Sequence, residues 1–158
     1  MSRSIEKLVP KARAMYREFE SKMKAAGIPF IVTCVDRTIA EQTALYAQGR
    51  ESFEEVNRLR KIAGLYLFKS AGENKHKVTW TMKSKHITYP DDHDTSKHLA
   101  RAFDLVIVKD GKASWDLKVN VNKNEIPDYE EAGRIWESLG GTWGGRWKKS
   151  PDNPHFEV

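Results

Sequence analysis

The sequence predicts an α+β domain with a small antiparallel sheet, on three observations. Short β-branched runs and amphipathic helical stretches do not alternate regularly, which argues against a parallel βαβ sheet. Asp110-Gly111 lies between two extended runs as a hairpin turn would. A chain of 158 residues suits a single core that removes about 70% of its unfolded surface from water.

The elements follow in order. From Ile5 to Ala26, the residues Leu8, Ala12, Met15, Tyr16, Phe19 and Met23 recur at helical spacing until Gly27 and Pro29 close the segment. Phe30 to Val35 is a β-branched run too short for a helix. Thr38, with Glu41 three residues on, forms a capping box for a second helix, Ile39 to Gln48. Residues 51–77 read as an insertion carrying one short helix around Phe53 to Ile62. Val78 to Met82 reads as a strand and Ala102 to Val108 as another, with Trp115 to Val121 as a hairpin partner. Tyr129 to Leu139 is the last helix, stopped by Gly140-Gly141.

A formal charge of +5 favours an anionic partner. The basic residues are interleaved with acids and form no RNA-binding box or helix-turn-helix signature, so nucleic acid is the weaker candidate. Met1 to Lys7 lacks the apolar run of a secretory signal and no later stretch approaches a membrane span, which gives the expectation of a protein left in the cytoplasm of the cell that makes it. The single cysteine, Cys34, excludes an internal disulfide and reads as a core thiol.

Chemistry concentrates in two places. Asp104 sits inside the apolar run Ala102 to Val108, where an unpaired carboxylate is costly and a metal would relieve the cost. The plain alternative is a strand-end Asp bonded to backbone amides or to Arg101. The second place is Asp152 to Glu157, where Asp152 precedes His155 by three residues, so that one can hold a metal and the other reach a water on it. Trp143-Gly144-Gly145-Arg146-Trp147 leads into it and supplies the glycines and aromatics of a pocket wall. A catalytic zinc takes three protein ligands and leaves a fourth position open.

Two signatures then resemble the zinc D-Ala-D-Ala carboxypeptidases and L-alanyl-D-glutamate peptidases, a VanY-type family that includes phage endolysins. Asp36-Arg37-Thr38 through Leu45-Tyr46-Ala47-Gln48-Gly49-Arg50 is similar to the family's arginine-led helix. Trp143-Gly144-Gly145 through Asp152-Asn153-Pro154-His155 is similar to its C-terminal ending. The family's middle signature sets a histidine seven positions before an aspartate, and here two Ser-Lys-His triplets compete for it. His98 lies six positions before Asp104, whereas His86 lies eighteen before and requires an 11-residue insertion, 89–99. Removing that insertion restores the family spacing, and a one-residue deletion in a strand would turn a ligand to the wrong face. His86 is therefore preferred, with His98 as the alternative.

The resemblance implies a hedgehog/DD-peptidase-like fold over residues 1–158 and zinc on His86 (or His98), Asp104 and His155. It implies Asp152 as general base, Arg37 at an oxyanion or substrate carboxylate, and Trp143 at the substrate. It implies hydrolysis of a peptidoglycan stem peptide, L-Ala-D-Glu favoured over D-Ala-D-Ala, by a monomeric endolysin that a holin releases to the wall. The competing classes are a non-catalytic wall-binding module and a basic nucleic-acid-binding protein. Separately, Asn120, Asn122, Asn124, Asp128 and Glu131 fall at positions 1, 3, 5, 9 and 12 of a twelve-residue loop, the rhythm of a weak calcium site.

Overall fold

The computed structural model describes residues 1–158. Helix α1 spans Pro10–Ala25, β1 Phe30–Cys34, α2 Ile39–Ala47, α3 Phe53–Ile62, β2 Ala102–Lys109 and β3 Lys112–Ser114. Helix α4, Asp128–Ser138, and the short strands β4, Thr142–Trp143, and β5, His155–Glu157, complete the domain. The sheet is antiparallel in the order β1-β2-β5-β4, with β3 also paired to β2. This is the expected α+β class.

Alternation along β2 sorts the two faces of the sheet. Phe103, Leu105 and Ile107 are fully buried against α1 and α4, in a core with Phe19, Trp136 and Phe156. Phe103 and Phe156 face each other across β2 and β5 and stack at 5.2 Å, while Trp136 meets Phe103 edge-on at 5.1 Å. Asp104, the residue between, faces the other side.

Three expected elements differ. The first helix begins at Pro10, not Ile5, because proline has no N–H to donate and suits the first helical position; Ile5–Lys7 forms only a 3-10 turn. Val78 to Met82 is an irregular loop that pairs with no strand, and Gln42 and Arg50 bind its polar groups instead. The hairpin after Asp110-Gly111, where both residues have positive φ, ends at Ser114, so Trp115 to Val121 is not a strand. The capping box of Thr38 and Glu41 is present.

Candidate metal centre

Sheet register builds most of the site. Asp104 on β2 is the cross-strand partner of both Cys34 on β1 and His155 on β5. Directly opposed residues share a face, so the three side chains form one row. His86 comes from the loop before β2 and is fixed by a short parallel ladder beside α2. Arg37 N–H donates to the His86 carbonyl at 2.9 Å and Thr88 N–H to the Arg37 carbonyl at 3.0 Å. Ser84 Oγ accepts from His86 N–H at 3.3 Å and shapes the turn.

Three atoms converge. His86 Nε2 lies 3.0 Å from Asp104 Oδ1, His155 Nδ1 lies 3.0 Å from the same oxygen, and the two nitrogens are 3.1 Å apart. The outer ring atoms dictate what these inner atoms are. His86 Nδ1 donates to the Val35 carbonyl at 2.7 Å, so a neutral His86 carries its proton there. His155 Nε2 faces Glu157 Oε2 at 3.0 Å and carries its proton there in the same way. Each ring, when neutral, therefore turns a bare lone pair toward Asp104 Oδ1 and the other ring. Such a cluster demands positive charge.

Titration behaviour expresses the same demand. Burial opposes a charge on His86, but Asp104 outweighs it and the imidazole is pushed up to about 10. Burial likewise opposes charge on Asp104, yet His86 and His155 hold it well below the usual carboxylate range. Two imidazoles and a carboxylate suit zinc, for which bonds of about 2.0–2.1 Å in a tetrahedron separate ligand atoms by roughly 3.3 Å. The observed edges are close to that, so the donor set fits.

The second oxygen of Asp104 accepts from Arg37 Nη2 at 2.9 Å. Its partner is therefore Arg37, not the sequence neighbour Arg101. Arg37 also donates from Nε to Cys34 Sγ at 3.2 Å and from Nη1 to Gln42 Oε1 at 3.4 Å, which engages three of the five guanidinium N–H groups. Cys34 Sγ lies among the site's donor atoms but faces Nδ1 of His86 at 3.8 Å, behind the triangle. The thiol is a neighbour of the site, not a corner of it.

Asp152 lines the same cleft, which holds about 640 Å³. Water reaches its side chain at the cleft mouth, while the enclosing protein and then the charge of Asp104 raise its carboxyl above the usual range. Its position depends on Gly144, where an added Cβ would lie 2.5 Å from the Asp152 carbonyl. Asp152 N–H in turn donates to the Gly144 carbonyl at 3.0 Å.

Other expected site residues fall elsewhere. His98 lies outside the triangle, with Nε2 at 2.7 Å from the Asp92 carbonyl, and His76 and His93 are exposed. Trp143 does not line the cleft: it is 3% exposed in the core, wedged between Gly133 and Gly145, with its indole N–H donating to the Asn153 carbonyl. Of that glycine-rich run, Trp147 is the ring that lines the cleft, 5.1 Å from His155. Glu157 was also missed. Its second oxygen pairs with Lys85 Nζ at 3.1 Å, and only the acid two residues after His155 hinted at it. In the calcium-like loop, the Asn122 and Asn124 amides donate to Glu131 Oε2 at 3.0 and 2.6 Å, and Asp128 Oδ2 accepts from Val121 N–H at 2.8 Å. Buried there without a partner are Asn120 Oδ1 and Asp128 Oδ1. A calcium ion would have to displace the loop's own hydrogen bonds.

The sheet and its four helices make an α+β fold that carries an imidazole–carboxylate face. Residues 91–158 match the family model for D-alanyl-D-alanine carboxypeptidase of the peptidase M15 group. That window holds Asp104, Asp152 and His155, whereas His86 lies outside it and is brought in by the fold. The chain is 29% identical over 133 residues to the peptidoglycan L-alanyl-D-glutamate endopeptidase CwlK of Bacillus subtilis (strain 168), covering 84% of this chain and 62% of that relative. It thus spans less than two thirds of that relative's length. The crystal structure of the Serratia marcescens L-Ala D-Glu endopeptidase ChiX shares the fold, with a TM-score of 0.54 at 20% identity, over 99% of this chain and 86% of that one.

Proposed function

We propose that this chain is a zinc peptidase that hydrolyses the L-Ala-D-Glu bond in the stem peptide of peptidoglycan. The carrying observation is the close triangle of ligand atoms from His86, Asp104 and His155. The names of the two similar endopeptidases supply the bond, and the family description supplies the second reading, a D-Ala-D-Ala carboxypeptidase. The resemblance to phage enzymes suggests an endolysin, monomeric and released to the wall by a holin.

His86, Asp104 and His155 would hold the zinc. When bound, zinc polarises the scissile carbonyl and acidifies water at neutral pH. Glu157 and the Val35 carbonyl hold the two rings in the tautomers that leave lone pairs inward. Arg37 occupies one Asp104 oxygen so that the other faces the centre. Its remaining N–H groups are available to a substrate carboxylate or oxyanion. Asp152 takes a proton from the attacking water and delivers it to the leaving amine.

The purified protein is expected to hold about one zinc per chain, and chelation to abolish hydrolysis of a synthetic stem peptide until zinc is restored. Metal analysis and mass spectrometry of the products test both. A zinc-free protein of undiminished activity would end the metal reading, and release of a terminal D-Ala alone would favour the carboxypeptidase. Glu157→Gln removes the charge behind His155 and should weaken zinc binding by about 10- to 100-fold. Competition with a chromophoric chelator measures it without reference to activity; unchanged affinity would make Glu157 a merely structural partner of Lys85.

A further inference from the structure

We infer that the cleft also carries a saccharide platform, formed by Trp80 and Trp115, that seats the glycan strand to which the stem peptide is attached. The inference rests on the peptidoglycan reading for the identity of the polymer, and it adds a second binding surface to the peptide-cutting centre.

Trp80 and Trp115 are 62% and 58% exposed, and both line the cleft that contains His86, Asp104 and His155. Tryptophan is on average a well-buried residue, so two open indoles on one cleft are uncommon. The wall around them is not apolar. Thr81, Ser84, Lys77 and Lys83 line the same cleft with hydroxyl and ammonium groups. A lipid or an apolar peptide would call for a continuous greasy wall. A pyranose ring instead offers an apolar C–H face with a rim of hydroxyls, which matches electron-rich ring faces set among polar donors. The net charge of +5 suits a polymer that bears carboxylates.

Trp80 is held in place despite its exposure. The Arg50 guanidinium stacks on Tyr46 at 4.0 Å and lies 5.7 Å from the Trp80 ring centre, while Nη2 donates to the Thr79 carbonyl at 3.0 Å. Gln42, fully buried, donates to Thr79 Oγ1 at 3.1 Å and to the Thr81 carbonyl at 2.7 Å. Gly49, at φ +72°, lets the backbone come so near Lys77 that an added Cβ would sit 2.7 Å from Lys77 N. The motif residues Gln42, Tyr46, Gly49 and Arg50 thus brace a presented ring, and a braced ring loses less entropy on binding.

The test is calorimetric titration of the full zinc-loaded protein with a peptide-free tetramer of β-linked N-acetylglucosamine. Saturable binding is expected, weakened about 10-fold or more in both Trp80→Ala and Trp115→Ala and largely kept in Trp80→Phe. No binding by the parent protein, or equal binding by the alanine variants, would overturn the platform. Hydrolysis of a free L-Ala-D-Glu peptide is measured alongside. Saccharide binding without hydrolysis of that peptide would end the L-Ala-D-Glu reading and keep the platform, whereas hydrolysis without saccharide binding would end the platform alone.

Discussion

Replacing His86 by alanine is expected to release the zinc and take peptide hydrolysis to background, while His98→Ala keeps both. His86 Nε2 is one corner of the triangle of ligand atoms, and its loss leaves one imidazole and one carboxylate, too few ligands for a catalytic zinc. The loss in affinity should exceed the roughly 100-fold that an outer hydrogen-bond partner costs. His98 bonds to the Asp92 carbonyl on the far side of the 3-10 turn Thr95–His98, and its removal should change only that turn. Zinc analysis of both variants, with rates on a stem peptide, decides between the two triplets. Zinc retained by His86→Ala and lost by His98→Ala would reverse the assignment.

The second large effect is expected at Asp152. Asp152→Ala should keep its zinc and lose about 100-fold or more in turnover, the scale of missing general-base help. The substitution leaves intact the Asp152 backbone bond to the Gly144 carbonyl and the one its own carbonyl accepts from His155 N–H, so the His155 arm should hold its place. Unchanged turnover would remove Asp152 from the chemistry. Loss of zinc would make it a ligand.

Most of this fold was legible because its signals are local. The Thr38–Glu41 capping box, the Asp110-Gly111 turn and the β-branched runs at Phe30 and Ala102 each work within a few residues. Asp104 stood out because a carboxylate in an apolar run requires a partner. What stayed hidden depends on contacts distant in sequence. Val78 to Met82 has strand-like residues, yet its polar groups are taken by Gln42 and Arg50 from well before it in the chain and it joins no ladder. Trp143 and Trp147 belong to one aromatic, glycine-rich run, and only packing against Gly133 sends the first into the core and leaves the second for the cleft. Glu157 matters through Lys85, 72 positions earlier in the chain.

The cross-strand row of Cys34, Asp104 and His155, with His86 pinned to it from beside Arg37, separates two kinds of distance. Where each donor stands in space is decided by which backbones are laced together. How many residues intervene along the chain is decided by whatever the loops carry. Counting residues between ligands is consequently a poor ruler for proteins built this way, because an excursion such as 89–99 leaves from and returns to fixed anchorages. Natural variation can lengthen the string between the knots without moving the knots themselves.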